Sequence, residues 1–102
     1  MTTLQQISDK LNDQIPSGFS RDMMDIDIGD YEFDKVKQFD KEGFVYLYSG
    51  KDPNVRLIFN EDRMAVVLYI KNGDKVEATS WRLGLIHNRT FELDEIRSEI
   101  FK

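Results

Sequence analysis

Six carboxylates stand between residues 22 and 34 (Asp22, Asp25, Asp27, Asp30, Glu32 and Asp34), with no lysine or arginine among them. They sum to −6 where the whole chain is −5, so all other residues together come to +1. Acid concentrated in this way makes a local field that draws in a cation or a basic partner, as the same charge spread over the surface does not. Asp25 and Asp27 alternate with Ile26 and Ile28; after Gly29 the parity flips, and Asp30, Glu32 and Asp34 alternate with Tyr31 and Phe33. In an extended backbone, residues two apart are separated by about 6.5–7 Å. That is the order of the spacing between successive phosphates of a nucleic-acid strand. A glycine at the switch suits a bulge or a bend. The stretch therefore reads either as a phosphate-like surface that occupies a basic groove on another protein, or as the solvated outer face of an edge strand whose charge discourages aggregation.

Other chemistries find less support. Asp25-Ile26-Asp27-Ile28-Gly29-Asp30 departs from a calcium loop: the glycine falls one place early, Gly29 occupies a ligand position, and the closing bidentate glutamate is absent. No metal site or cofactor is expected. The single histidine, His87, sits in His87-Asn88-Arg89-Thr90, a run that reads as a polar connection. Catalysis there would need a nucleophile or an orienting carboxylate in space, with Ser80 and Asp94 the candidates. No nucleophile elbow, phosphate-cradling glycine loop or HExxH spacing accompanies it, so no enzymatic activity is expected. Trp81-Arg82 reads equally as an interface pair and as a core tryptophan beside a strand-edge arginine.

Composition narrows the classes further. A chain of 102 residues with 40% apolar and 12% aromatic residues suits one folded domain, residues 1–102, with a single core. The absence of cysteine excludes thiol nucleophiles, zinc ribbons and a disulfide scaffold. The first residues are polar and periodic, unlike a secretory signal, and no apolar run reaches membrane-spanning length. An acidic pI of about 4.8 speaks against direct phosphate neutralisation on nucleic acid. A cytoplasmic protein is the simplest expectation, with Asn88-Arg89-Thr90 an accidental sequon.

The elements that must position these residues follow from periodicity. Leu4, Ile7, Leu11 and Ile15 form one helical stripe, opened by a Thr3–Gln6 capping box and stopped by Pro16 and Gly18. From Tyr31 the period becomes two. Strands are expected over 31–39, 44–48, 55–59, 64–70 and 76–83, separated by Asp40 to Gly43, Ser49 to Pro53, Asn60 to Asp62 and the hairpin signal Asn72-Gly73. Such short turns require antiparallel neighbours. A closing helix is expected from Leu93, Ile96, Ile100 and Phe101, with Asp94 as N-cap. The expected fold is α+β: a five-stranded antiparallel meander flanked by an N-terminal and a C-terminal helix. Middle strands apolar on both faces imply helices on one face and exposed or partner-covered aromatics on the other.

The functional expectation is a small, acidic, non-enzymatic binding module of the inhibitor, immunity or antitoxin type, in the style of bacterial and phage accessory proteins. Asp22, Asp25, Asp27, Asp30, Glu32 and Asp34 would meet a basic, even nucleic-acid-binding, surface of a partner protein, with Tyr31 and Phe33 as apolar anchors. The alternative is a structural protein that forms a homodimer through an uncovered sheet face.

Overall fold

A computed structural model describes residues 2–12, 14–15, 21–39, 44–60 and 63–101. Helix α1 spans Leu4–Lys10. Its capping box forms as the sequence suggests: the Gln6 N–H donates to Thr3 Oγ1 at 3.3 Å, and the Thr3 N–H donates to Gln6 Oε1 at 2.7 Å. The helix is shorter than its apolar stripe. Leu11 caps it and Asn12 turns left-handed at φ 57°, a conformation asparagine tolerates better than most residues, so the chain leaves the helix before Ile15. Ile15 is nonetheless buried in the same core as Leu4 and Ile7. Pro16 and Gly18, expected to stop the helix, lie outside the described residues.

A short helix α2, Arg21–Met24, follows and buries Met23. The sheet then runs β1 Lys35–Phe39, β2 Phe44–Tyr48, β3 Val55–Asn60, β4 Ala65–Asn72, β5 Lys75–Arg82 and β6 Leu85–Glu92. It is an antiparallel meander in the order β1-β2-β3-β4-β5-β6. The architecture is thus α+β with six strands, one more than the sequence suggests. The first strand starts at Lys35 and not at Tyr31. The turns read at Asp40 to Gly43 and at Glu61-Asp62 fall outside the described residues. The Asn72-Gly73 signal does mark a hairpin, but its loop is Gly73-Asp74: Asn72 pairs with Lys75, and Gly73 takes φ +63° at the first central position.

The largest difference lies after Arg82. The run His87-Asn88-Arg89-Thr90, read as a polar connection, lies within β6, which is joined to β5 by the two-residue loop Leu83-Gly84. Both loop residues have positive φ, 50° and 78°, the geometry of a type I′ turn. Nearly all of β6 is exposed on both faces, which removes the alternation that betrays a half-buried strand. The expected closing helix is only a single 3₁₀ turn, Leu93–Glu95, and its cap is Glu92, not Asp94. The Glu92 N–H donates to Glu95 Oε1 at 2.9 Å.

β3 organises the core. Val55, Arg56, Leu57, Ile58 and Phe59 are buried in succession, as in a central strand covered on both faces. On one face Leu57 and Phe59 join Val66 and Leu47 under α1, Ile28 and Phe33. On the other, Tyr46 and Ile58 are covered by Ile96, Ile100 and Phe101 from the C-terminal segment. Arg56 fastens that segment. Its Nε donates to the Ile100 carbonyl at 2.8 Å, and its Nη1 donates to the carbonyls of Pro53 and Val55 at 3.0 and 2.9 Å. Its guanidinium also lies 5.6 and 5.4 Å from the Tyr48 and Phe101 ring centres. Burial holds its pKa below the usual guanidinium range, with the Tyr48 phenol acting the other way; the group remains charged at neutral pH.

Two outcomes follow. Replacing Arg56 by alanine leaves the Ile100 carbonyl without its donor and costs about 2–4 kcal/mol. Amide exchange then rises first in residues 96–101, before the strands loosen. Alkaline pH acts through Tyr69, whose phenol burial raises above its ordinary value of 10.0. The folded chain holds this proton more tightly than the unfolded one. The associated stability is therefore complete below the unfolded value and is lost as pH rises through the folded one. Tyr69→Phe shifts the alkaline limb of a urea-midpoint titration to higher pH.

Candidate functional site

The acidic segment is strapped to the start of the chain by backbone hydrogen bonds. Leu4 N–H donates to the Ile26 carbonyl at 3.2 Å, Ile28 N–H to the Thr2 carbonyl at 2.9 Å, and Thr2 N–H to the Gly29 carbonyl at 3.2 Å. This extended pairing, with an antiparallel bridge between Thr3 and Asp27, sets which side chains face inward. Ile28 is buried and Ile26 half-buried, while Asp25 and Asp27 are exposed. Gly29, at φ +82°, then shifts the parity, and its N–H donates to Asp27 Oδ1 at 2.9 Å. Beyond it Asp30, Glu32 and Asp34 are exposed, Tyr31 is half-buried and Phe33 is 2% exposed.

All six carboxylates thus reach solvent, but they do not make one surface. Glu32 lies 3.8 Å from Lys10 and 3.4 Å from Lys51, so part of its charge is met within the molecule. It borders a hollow of about 340 Å³ beside α1 that Lys10 also lines. Asp22, Asp25 and Asp27 border a different cleft, of about 510 Å³, between the α2 segment and the β5–β6 hairpin. Met23, Ile26, Trp81 and Ile86 supply its apolar lining, and Gly84 also borders it. Among the described residues, no lysine or arginine lines this cleft. Phe33, expected as a surface anchor, is a core residue: the inward half of the alternation carries it beneath the sheet. Tyr31 packs partly against the same core.

Sequence reasoning missed the exposed apolar tip of the hairpin, of which Ile86 lines the cleft. Leu83, Leu85 and Ile86 are 76%, 62% and 61% exposed, the large apolar side chains most open to water among the described residues. Trp81 stands between the two meanings its sequence allowed, half-buried against the core and also facing the cleft. Leu83-Gly84-Leu85-Ile86 was the available signal, since an apolar run around a glycine turn is hard to bury. Leu83 further holds a left-handed backbone that costs a side-chain-bearing residue about 1–2 kcal/mol. A turn built for stability alone would carry asparagine there.

The arrangement suits a particular chemistry. A guanidinium or ammonium group at the rim meets three carboxylates, its alkyl stem lies along Ile26 and Ile86, and Trp81 offers an indole ring for a cation. Ser80 and His87 are cross-strand partners, but the serine hydroxyl donates to the His87 carbonyl at 3.5 Å and not to its ring. Among the described residues, no group of three or more His, Cys, Asp or Glu side chains is gathered to hold a metal ion. None of the described helices is long and apolar enough to cross a membrane. No protein family, no curated protein and no solved structure matches this chain.

Relieving the strained turn separates stability from exposure. Leu83→Asn raises the unfolding free energy by about 1 kcal/mol in urea titration, and it leaves Trp81 fluorescence in the folded state unchanged.

Proposed function

We propose that this protein is a non-enzymatic binding module that docks onto a basic surface of another protein, in the manner of an inhibitor, immunity protein or antitoxin. Asp22, Asp25 and Asp27 make the charged contact; Trp81, Ile86 and Ile26 make the apolar one. The observation that carries this reading is the acid-rimmed, apolar-floored cleft with no basic residue among its described lining residues. Fixed carboxylates raise the association rate by steering a basic partner, and burial of the indole and isoleucine surface sets how long it stays. Asp30, Glu32 and Asp34 widen the field but stand apart from the cleft, and Tyr31 contributes only its open edge. A partner that normally grips nucleic acid fits this chemistry; direct contact with nucleic acid by the acidic protein does not. A cytoplasmic setting suits such a partner.

Self-association through an uncovered sheet face is the weaker reading, because Ile96, Ile100 and Phe101 already occupy part of the face in question.

The test uses lysine- and arginine-rich synthetic peptides at low and moderate salt, measured by calorimetry. The wild-type protein binds with an affinity that falls as salt rises. Asp22→Asn, Asp25→Asn and Asp27→Asn together weaken binding by about tenfold or more and flatten the salt dependence. The matched Asp30→Asn, Glu32→Gln and Asp34→Asn protein loses less, since Glu32 is already paired. Equal affinity and equal salt slope in all three proteins would remove the cleft from consideration.

A further inference from the structure

The two edges of the sheet are not alike. β1 is five residues long and carries Lys35 and Lys37, the device by which proteins keep an edge from pairing with another chain. β6 is eight residues long and has no lysine, proline or glycine. Its one arginine, Arg89, is drawn back over the Phe91 ring at 4.6 Å. The open edge also carries Ile86, one of the most exposed apolar residues.

The register fixes which backbone groups of β6 are free. Across a two-residue loop, Arg82 and Leu85 exchange hydrogen bonds, so His87, Arg89 and Phe91 also direct their N–H and C=O groups at β5. Ile86, Asn88, Thr90 and Glu92 then point theirs outward. Two hydrogen bonds agree with this alternation: the Leu93 N–H turns inward to the Asp74 carbonyl at 2.8 Å, and the Glu92 N–H turns out to Glu95. With Glu92 so occupied, Ile86, Asn88 and Thr90 form a ladder left open among the described residues. Their side chains share the face of Trp81, where the acid-rimmed cleft lies.

We propose that β6 receives an extended basic segment of a partner protein as a seventh strand. The segment's alternate lysines or arginines lie on the cleft side, toward Asp22, Asp25 and Asp27. This rests on the docking role given above and adds how the partner is held. Backbone hydrogen bonds to Ile86, Asn88 and Thr90 give affinity, and alternate side chains over the acidic rim give selectivity. Charge complementarity selects the occupant: a strand presenting acids on that side would meet three carboxylates.

The probe is a synthetic eight-residue peptide alternating lysine with valine, and a copy with N-methylated amides on its pairing edge. On wild-type protein the peptide slows amide exchange at Ile86, Asn88 and Thr90, while His87 and Arg89, already bonded to β5, change little. The N-methylated copy binds about tenfold or more weaker. Thr90→Pro, which removes one outward donor at an edge position that tolerates proline, weakens the unmodified peptide similarly. Equal binding of both peptides, with no new protection at the three amides but loss in the Asp→Asn protein, overturns strand addition and leaves the acidic docking role standing. No binding of either peptide overturns both. If the protein alone sediments as a dimer with those amides already protected, the edge belongs to a second copy and the proposal fails.

Discussion

Five successive buried residues in β3 impose the constraint from which the rest of the molecule follows. A strand that buries both faces cannot stand at the surface of a small sheet; it needs strands on either side and a layer above and below. In a chain of 102 residues the material for those layers is scarce. The N-terminal third supplies one layer through Leu4, Ile7, Ile28 and Phe33, and the C-terminal turn supplies the other through Ile96, Ile100 and Phe101. Arg56 belongs to the same solution. Burying a cation costs several kcal/mol unless its donors are met, and here backbone carbonyls meet them while joining the last segment to the central strand.

The display of the acidic segment is a by-product of that layering. Residues 25–34 cross the sheet as part of the cover, so every second side chain must be apolar and inward. What remains faces water, and in this chain it is carboxylate at each such position. Backbone pairing with Thr2 and Leu4 holds the segment extended without making it a strand of the sheet. Gly29 reverses which parity faces out and parts the carboxylates into a group over the cleft and a group in which Glu32 is shared with Lys10 and Lys51. Asp22, Asp25 and Asp27 border apolar surface in a cleft that, among the described residues, no lysine or arginine lines.

The β5–β6 hairpin follows a different logic. It contributes little to the core beyond Trp81, Val76 and Ala78, yet it places three large apolar side chains in water and holds a leucine in a left-handed turn. Features that cost stability in the isolated chain and cluster at one place are the pattern expected of a surface used for contact. Of these side chains Ile86 lines the cleft, where it stands with Trp81 opposite Asp22, Asp25 and Asp27.

The alternation of apolar residues was sufficient to identify β2 at its observed bounds, β3 and β4 closely, the antiparallel meander and the Thr3–Gln6 cap, because each is set by local periodicity or by turn length. The outward placement of the carboxylates and the parity switch at Gly29 were legible for the same reason. Tertiary structure decided the rest. β6 is exposed on both faces and so carries no alternation; only its pairing with β5 makes it a strand. α1 ends at Lys10, capped by Leu11 and followed by a left-handed Asn12 that no apolar stripe reveals. Phe33 lies inward because the segment is pinned to the N-terminus. The division of the acid into two groups depends on where Lys10, Lys51 and the hairpin come to rest, distances across the fold that no local pattern contains.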